Sequence, residues 1–360
     1  MSKTTNIELI LRDCIAGRIS KRDAADELSC TRMTLYRKLN KLIATGSVEH
    51  GLIGRPSNNK CNPNKDNILS LVGDKYYDCG PTLASEFLDE YDGIVVHPEC
   101  LRLWMHEGKL MVKTRNRKPY RQRRVRKPCF NDMLQIDGSF HNWFGDKKSC
   151  MMNIIDDATG IDLFRFDEQE TLESACLLLW DWCKRYGIPK SIYSDRRNMY
   201  IPKDEGAVNY FTMMCKNLGI RRIPANSAQA KGRVERSNGV HQDRLIPRLR
   251  LEGIVDIESA NELVDKYLSK HNKKFSVGPE SREKTFKILD KRAKLMDYCY
   301  IEDKRKVSND WVISYGGKKY QLKRYNEYYC PSKSTVFVRE YLDGAISIFY
   351  RNNVIPFVTF

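Results

Sequence analysis

Hydrophobic and polar residues follow two different periods in the middle of the chain. Three short apolar runs of strand type come first, "MLQID", "SCMMNIID" and "IDLFRFD", and residues 156–160 form a turn signal between the last two. From Thr171 to Tyr186 the apolar residues recur at helical spacing instead. Gly187, Ile188 and Pro189 end that pattern ahead of a further strand-type run, "SIYS". The order predicts a three-strand meander followed by a helix and a fourth strand.

Three carboxylates stand out in this region. Asp137 and Asp195 each close an apolar run, and Glu235 lies in a polar run, "SAQAKGRVERSNGVHQDRL", that is typical of a helix. Carboxylates at strand ends and on a facing helix can converge in space, and hard divalent cations bind such oxygen ligands. The hypothesis is a two-metal site for phosphoryl transfer.

The segments that carry these carboxylates resemble the DDE transposases, which share a catalytic core with the retroviral integrases. The matching blocks are "LQIDGSFHNWF", "YSD" and "KGRVERSNG", and the predicted element order is that of the ribonuclease H-like fold. The resemblance implies that Asp137, Asp195 and Glu235 are the catalytic residues and that they hold two Mg²⁺ or Mn²⁺ ions per active site. The loop from Arg196 to Pro202 departs from many relatives because it is basic and bulky.

The predicted helix around Glu235 has one polar side. Counted at about 100° per residue, that side also carries Lys231, Asn238 and Gln242, with Gly232 and Gly239 just beyond them. Glycine weakens a helix by about 1 kcal/mol relative to alanine, which indicates either a close approach of DNA backbone or packing against another element. Lys231 and Arg233 are candidates for contacts with DNA phosphates.

The first fifty residues contain the pattern of a helix-turn-helix. Ala25, Ser29 and Leu35 have the offsets of its small, turn and buried residues, and Thr31 can cap the second helix. The exposed side of that helix is expected to face a DNA major groove through Arg32, Met33, Tyr36 and Arg37. An ordinary helical hairpin is the alternative.

A second helix, turn and helix is predicted within residues 64–110, after a linker rich in Gly, Pro and Asn. Residues 51–100 carry 8 acidic and 4 basic side chains, so only the last helix, with Arg102, Trp104 and His106, is expected to face DNA. Two tandem units of this kind ahead of such a core resemble bacterial insertion-sequence transposases.

A strongly basic segment follows this unit. Residues 101–131 carry 11 basic and 1 acidic side chains, whereas residues 132–243 carry 15 and 16. Such a run is either a solvated tail or a strap along DNA phosphates, and its place between two predicted domains favours the strap. The predicted DNA contacts of this segment are Arg121, Arg123, Arg124 and Arg126.

Beyond the core, the pattern predicts one helix from Ile257 to His271, another within "EKTFKILDKRAKLM", and then β-hairpins. Apolar and polar residues alternate around Gly316-Gly317, Asp343-Gly344 and Asn352-Asn353, which are hairpin turn signals. A small β-barrel is expected. It either binds DNA or a partner subunit, through Lys318, Lys319, Lys323 and Arg324, or is a structural cap.

Composition limits the compartment and the metal chemistry. The 360 residues include no apolar run of membrane-spanning length and no secretory signal, which predicts a cytoplasmic, nucleoid-associated bacterial protein with no membrane partner. The 12 cysteines include no CxxC pair and the 6 histidines no HxxxH spacing, so reduced, buried thiols are expected and zinc ligation is not.

Together these features predict a multidomain chain with N-terminal all-α tandem helix-turn-helix units, a central α/β ribonuclease H-like core and a C-terminal small β-barrel. The predicted domains are residues 1–50 and 64–110 (the two helical units), 111–130 (basic linker), 131–272 (core), 273–300 (helical linker) and 301–360 (barrel).

The predicted function is DNA transposition. The chain is expected to bind the ends of an insertion sequence, hydrolyse a phosphodiester bond to free a 3′-OH, and use that hydroxyl to attack target DNA. Double-stranded DNA is therefore the expected partner, and a homodimer or higher homo-oligomer is expected because an element has two ends. The alternatives are a ribonuclease H-like nuclease or resolvase, and a transcription regulator with an inactive core.

Overall fold

The computed structural model describes residues 3–48, 63–111, 124–145, 147–195, 208–224, 232–324 and 331–360. Arg121, Arg123, Lys231 and the basic loop after Asp195 lie outside the described residues. The chain divides into two compact units, Met1–Asp66 and Asn67–Phe360.

Three helices enclose a small apolar core in the first unit. They are α1 (Lys3–Ile15), α2 (Lys21–Glu27) and α3 (Arg32–Thr45). The Thr31 hydroxyl accepts a hydrogen bond from the Thr34 backbone N–H at 3.3 Å, so the predicted cap is confirmed. Ser29 adopts a φ of 45° in the turn between α2 and α3, and Ala25 and Leu35 are buried, as predicted.

Three further helices form a second apolar core within the larger unit. They are α4 (Lys65–Lys75), α5 (Pro81–Asp92) and α6 (Pro98–Glu107). Pro81 and Pro98 each begin a helix, where a backbone N–H has no intrahelical partner and proline is therefore tolerated. The predicted pair of helices is confirmed, and the buried side chains between them include Tyr76, Leu83, Phe87 and Leu101.

A five-stranded mixed sheet lies at the centre of the larger unit. Its strands are β1 (Leu134–Phe144), β2 (Lys147–Asp156), β3 (Asp162–Asp167), β4 (Ser191–Ser194) and β5 (Arg221–Pro224). The spatial order is β3-β2-β1-β4-β5, in which β1, β2 and β3 pair antiparallel and β1, β4 and β5 pair parallel. The predicted meander is confirmed.

Four helices accompany the sheet. They are α7 (Leu172–Tyr186), α8 (Tyr210–Leu218), α9 (Gly232–Leu251) and α10 (Ile257–Phe275). The helices predicted around residues 171–186, Glu235 and residues 257–271 are thus confirmed. Their apolar sides share one core with the sheet, in which Trp143, Trp182, Phe164, Phe166 and Phe211 are among the largest buried side chains.

The turn between β2 and β3 is built from its own polar residues. The Asp156 carboxylate accepts hydrogen bonds from the Thr159 N–H at 2.8 Å and the Thr159 hydroxyl at 2.7 Å, and from the Asn131 N–H at 2.9 Å. Gly160 then takes a φ of 76°, which glycine adopts without strain. The predicted turn is confirmed.

The helix predicted within residues 283–296 is wrong. This segment is described throughout, and it runs without a helix up to a single 3-10 turn at Leu295–Asp297. Instead, the Ile188 N–H donates to the Lys287 carbonyl at 2.7 Å, and the Phe286 ring packs edge-on against Phe130. At Gly187, with a φ of 91°, an added Cβ would come within 2.7 Å of the Phe286 ring. Pairing and packing with the core therefore outweigh the helical spacing of this segment.

Seven strands follow. They are β6 (Tyr300–Lys306), β7 (Val312–Tyr315), β8 (Lys318–Leu322), β9 (Thr335–Tyr341), β10 (Ile346–Tyr350), β11 (Asn353–Ile355) and β12 (Phe357–Thr359). They form two antiparallel sheets, ordered β11-β10-β9-β6 and β12-β8-β7, which share one apolar core. The turns at Gly316-Gly317 and Gly344 are confirmed, and the third turn falls at Arg351-Asn352, one residue earlier than predicted.

Ten of the cysteines lie among the described residues, all of them free and eight of them buried. None of the described helices has both the length and the apolar composition that crossing a membrane would require.

Candidate active site

Asp137 is an interior residue of its strand. The sequence predicted that it would end an apolar run, but β1 continues to Phe144. Because side chains alternate between the two faces of a strand, Asp137 shares its face with Gln135 and Ser139. Asp137 is half-buried, whereas Gln135 and Ser139 are buried.

Helix α9 lies along this face of β1 and is held there by three hydrogen bonds. The Val234 N–H donates to Gln135 Oε1 at 3.3 Å, Asn238 Nδ2 donates to Asp137 Oδ2 at 3.5 Å, and Gln242 Nε2 donates to Ser139 Oγ at 2.9 Å. Each step of four helix residues, about 6 Å, matches a step of two strand residues, about 6.6 Å. Glu235 therefore lies in the first turn of α9, beside the part of β1 that leads to Asp137.

Asp195 follows the strand next to β1. The parallel pairing of β1 with β4 joins Leu134 to Ile192 and Gln135 to Tyr193. The same register, continued by two residues, sets Asp195 beside Asp137 at the ordinary spacing of neighbouring strands, about 4.8 Å. The three carboxylates thus come from two adjacent strands and from the helix that crosses one of them.

The three carboxylates do not form the tightest group of possible metal ligands among the described residues. That group consists of Asp162, His241 and His271, whose ligand atoms all lie within 4.8 Å of one another. Like charges repel, so carboxylates such as Asp137, Asp195 and Glu235 are expected to converge fully only around a cation.

Asn153 links the sheet to α9 and was not singled out by the sequence. It lies on β2 directly opposite Asp137. Its Nδ2 donates to Ser237 Oγ and to Asn238 Oδ1, each at 3.0 Å, while its buried Oδ1 accepts no hydrogen bond from a described residue. Counting the register of the meander from its turn would have indicated Asn153, because the residue opposite Asp137 shares its face.

The buried carboxylate of Asp157 anchors the start of α9. It accepts hydrogen bonds from Gln135 Nε2 at 2.8 Å, Arg233 Nε at 2.7 Å, the Lys127 N–H at 2.8 Å and an Arg124 guanidinium nitrogen. Gln135 therefore joins Asp157 to the first turn of α9. This network fixes the part of the helix that carries Glu235.

Three predicted DNA contacts make intramolecular contacts at this anchor. Arg233 and Arg124 both bind Asp157, and Arg126 Nη1 donates to the Ala158 carbonyl at 2.9 Å. Their guanidinium groups therefore hold the turn after β2 and the start of α9 together.

The predicted DNA contacts of the first unit lie on one side of α3. Arg32, Tyr36 and Arg37 are all exposed, and the Lys21 ammonium lies 4.9 Å from the centre of the Tyr36 ring. Leu35, Leu39 and Leu42 occupy the opposite, buried side.

The two glycines of α9 have open surroundings. A Cβ built at Gly232 or Gly239 would meet no atom of the described residues within 4 Å. The explanation that they permit packing against another element therefore finds no support among the described residues, and the approach of DNA at this surface stays a prediction.

Comparison with known proteins identifies relatives. No protein-family model matches the sequence. The chain is 32% identical over 98% of its length to 79% of "Putative transposase y4bF" of Sinorhizobium fredii (strain NBRC 101917 / NGR234). It is also 33% identical, over 42% of its length, to 34% of the transposase for insertion sequence IS1202 of Streptococcus pneumoniae.

Solved structures with a similar arrangement are retroviral integrases. The catalytic core domain of HTLV-2 integrase in complex with magnesium matches 39% of this chain and 85% of its own, with 19% identity and a TM-score of 0.32. The simian T-cell lymphotropic virus intasome in complex with PP2A regulatory subunit B56 gamma matches 81% of this chain and 99% of its own, with 14% identity and a TM-score of 0.38. The sequence relatives decide the family: this chain belongs to the insertion-sequence transposases, which are DDE-type polynucleotidyl transferases.

Proposed function

We propose that this transposase cuts and joins DNA at a single site formed by Asp137, Asp195 and Glu235. The observation that carries the proposal is the alignment of α9 with β1, which brings the first turn of the helix beside Asp137. The register of β4 adds Asp195 from the neighbouring strand. Both reaction steps are in-line displacements at phosphorus, first by water and then by the freed 3′-OH.

The donor atoms of this site fit Mg²⁺ or Mn²⁺. Both are hard cations that prefer oxygen ligands, and three carboxylates supply them without any histidine or cysteine. The buried Oδ1 of Asn153, beside Asp137, adds an oxygen with unused acceptor capacity. When bound, two such ions would activate the attacking oxygen and stabilise the leaving oxygen.

The protein's own residues orient these carboxylates. Asn238 donates to Asp137 and is itself held by Asn153, so the Asp137 carboxylate is fixed from the helix side. Gln135 and Asp157 fix the first turn of α9 and hence the backbone at Glu235. Asp137 lies between Asn153 and Asp195 across the sheet, which suits a ligand shared by two ions.

We further propose that DNA is read by the helical segments ahead of the core. Helix α3 would enter a major groove through Arg32, Tyr36 and Arg37, as the second helix of a helix-turn-helix, and α5 and α6 would form a second such unit. Arg121, Arg123 and Lys231 would contact phosphates. Arg124, Arg126 and Arg233, which make intramolecular contacts, would at most assist them.

The C-terminal sheets complete the proposed assembly. Their strands would close a small barrel that binds DNA or a partner subunit through the exposed Lys318, Lys319, Lys323 and Arg324. One chain contributes one active site and an element has two ends, so at least two chains would act together on DNA.

A strand-transfer reaction tests this function. The full chain is incubated with Mg²⁺, a supercoiled plasmid and a labelled duplex that ends in the element's cleaved 3′-OH, taken from inverted repeats beside the gene. Covalent joining of the label to the plasmid is expected. Cleavage without joining would indicate a ribonuclease H-like nuclease, and binding without either reaction would indicate a regulator, so both results contradict the proposal.

A further inference from the structure

A second group of metal-ligating side chains lies beneath α9. Asp162 begins β3, His241 lies in α9 and His271 in α10, and their side chains are 1%, 0% and 4% exposed. His241 Nε2 is 2.9 Å from Asp162 Oδ2, and His271 Nε2 is 3.6 Å from the same oxygen. The two histidines are thirty residues apart in sequence, which is why no spacing motif indicated them.

The hydrogen bonds of this group leave one position for a cation. The Tyr267 hydroxyl lies 3.1 Å from the Nδ1 atoms of both His241 and His271. A hydroxyl has one proton, so it donates to one Nδ1 and accepts from the other. If both rings are neutral, the ring that accepts from Tyr267 carries its proton on Nε2, and the other turns a bare Nε2 lone pair toward Asp162. That contact is repulsive unless a positive charge lies between the two atoms.

We propose that Asp162, His241 and His271 form a binding site for Zn²⁺ or a chemically similar borderline ion. Two imidazole nitrogens and one carboxylate oxygen are a donor set that such ions prefer, whereas Mg²⁺ prefers oxygen alone. In this state both Nε2 lone pairs point to the ion, and both Nδ1–H groups donate to the Tyr267 oxygen. Every nitrogen of the two rings is then used.

Three observations favour a metal ion over a proton as the missing charge. Burial lowers the pKa of His241, which disfavours the imidazolium form and favours the neutral ring that metals bind. Asp162 Oδ1 is buried and accepts no hydrogen bond from a described residue, so the carboxylate has a further oxygen for ligation. Ser237 Oγ donates to Asp162 Oδ2 at 2.6 Å and orients that carboxylate, as outer partners of metal ligands commonly do.

The group also has an access route and a structural consequence. A cavity of about 80 Å³ between α5, α9 and α10 is lined by Tyr267 and His271. An ion held by the three ligands would join β3, α9 and α10, and so would fix the helix that carries Glu235. This inference does not depend on the proposed catalytic role of Glu235.

Metal binding to the full chain tests the inference. The parent protein carries Asp137→Asn, Asp195→Asn and Glu235→Gln, which removes the carboxylates proposed to bind ions elsewhere. Equilibrium dialysis against Zn²⁺ is expected to give one bound equivalent that excess Mg²⁺ does not displace. Adding His271→Asn should abolish that binding, whereas adding His106→Asn, an exposed histidine on α6, should leave it unchanged. No bound equivalent in the parent, or an equal amount after His271→Asn, would overturn the site.

Two further measurements guard against misfolding and against binding by cysteines. Tyr267→Phe keeps all three ligands and removes the hydroxyl, and it should weaken zinc affinity by about 10- to 100-fold. Unchanged affinity would contradict the proposed arrangement. With Co²⁺ in place of Zn²⁺, visible absorption typical of a tetrahedral ion is expected without an intense near-ultraviolet thiolate band. Such a band would assign the ion to cysteines and overturn the inference.

Discussion

At the scale of single residues, Asp137 carries a carboxylate inside a strand and beneath a helix, where an ionised group is costly unless it is hydrogen-bonded or paired. Asn238 supplies one long hydrogen bond at 3.5 Å. Asp195 and Glu235 are the nearest charges that the fold brings toward it, and both are negative. The site therefore concentrates like charge that a divalent cation would neutralise.

Thermal unfolding with and without Mg²⁺ tests that concentration of charge. Asp195→Asn should melt at the same temperature as the wild type or higher without Mg²⁺, because one repelling charge is gone. Its gain on adding Mg²⁺ should be smaller than that of the wild type, in which an ion at a hundred times its Kd contributes about 2.7 kcal/mol.

Asp243→Asn, which removes an exposed carboxylate from another turn of α9, is the matched control and should keep the full gain. A full gain in Asp195→Asn would show that Asp195 is not part of the site.

The residues that the sequence revealed and those that it did not differ in a simple way. Asp137, Asp195 and Glu235 could be predicted because each stands in a recognisable local run. Asn153 and Asp157 act through strand pairing and through contacts with a helix about eighty residues later, so no local pattern marks them. The His241 and His271 pair has the same origin.

At the scale of elements, α9 carries two glycines whose surroundings are open. Gly239→Ala should raise the free energy of unfolding by about 0.5–1 kcal/mol, since alanine is the better helix former and the added Cβ meets nothing. If DNA backbone approaches this surface, the same change should lower DNA affinity and joining.

Gly73→Ala in α4 is the control, because its Cβ would make only an ordinary 3.5 Å contact with Leu110. It should stabilise the protein without changing strand transfer. Joining at the wild-type rate by Gly239→Ala would show that DNA does not pass there.

The acidic side of α5 binds the basic sides of α9 and α10. Glu90 accepts from Arg248 at 2.6 Å and from Lys270 at 2.7 Å, and Glu86 pairs with Arg244 and Lys274. The acidity of residues 51–100, which led the sequence to exclude most of this unit from DNA, thus has a structural role. Its partners could not be predicted because they lie about 160 residues away in the chain.

These ion pairs make stability depend on acidic pH. Hydrogen bonding from Arg248 lowers the pKa of Glu90 to about 2 from its ordinary value of 4.5. Because this pKa is depressed in the folded chain, its contribution to the free energy of unfolding is fully present above about pH 4.5 and is lost as the pH falls toward 2.

The melting-temperature difference between wild type and Glu90→Gln should therefore be largest near neutral pH and should shrink below about pH 4.5. Glu262→Gln, an exposed residue of α10, should show only a small difference at any pH. A Glu90→Gln difference that stays constant down to about pH 3 would contradict this role.

The error at residues 283–296 shows the limit of periodicity. Helical spacing of apolar residues predicts which side chains are buried, and Leu289 is indeed buried. It does not decide the backbone when the segment can pair with another part of the core, as Lys287 does with Ile188.

At the scale of the whole molecule, base reading and phosphate binding should separate. Replacing Arg32 and Arg37 with alanine should reduce the preference for element ends over random DNA, by about 1–3 kcal/mol for each good bidentate base contact. Replacing Arg121 and Arg123 should weaken both DNAs alike and lower the slope of log affinity against log salt by about 2. An unchanged slope after the second pair of changes would show that these arginines do not contact phosphates.

Cleavage and joining by Glu235→Gln test the central claim most directly. The substitution keeps the size and hydrogen bonding of the side chain and removes the charge, and Asp243→Asn on the same helix is the control. End binding should stay nearly unchanged in both variants, while Glu235→Gln loses cleavage and joining and Asp243→Asn retains them. Joining by Glu235→Gln at close to the wild-type rate would contradict the site of Asp137, Asp195 and Glu235.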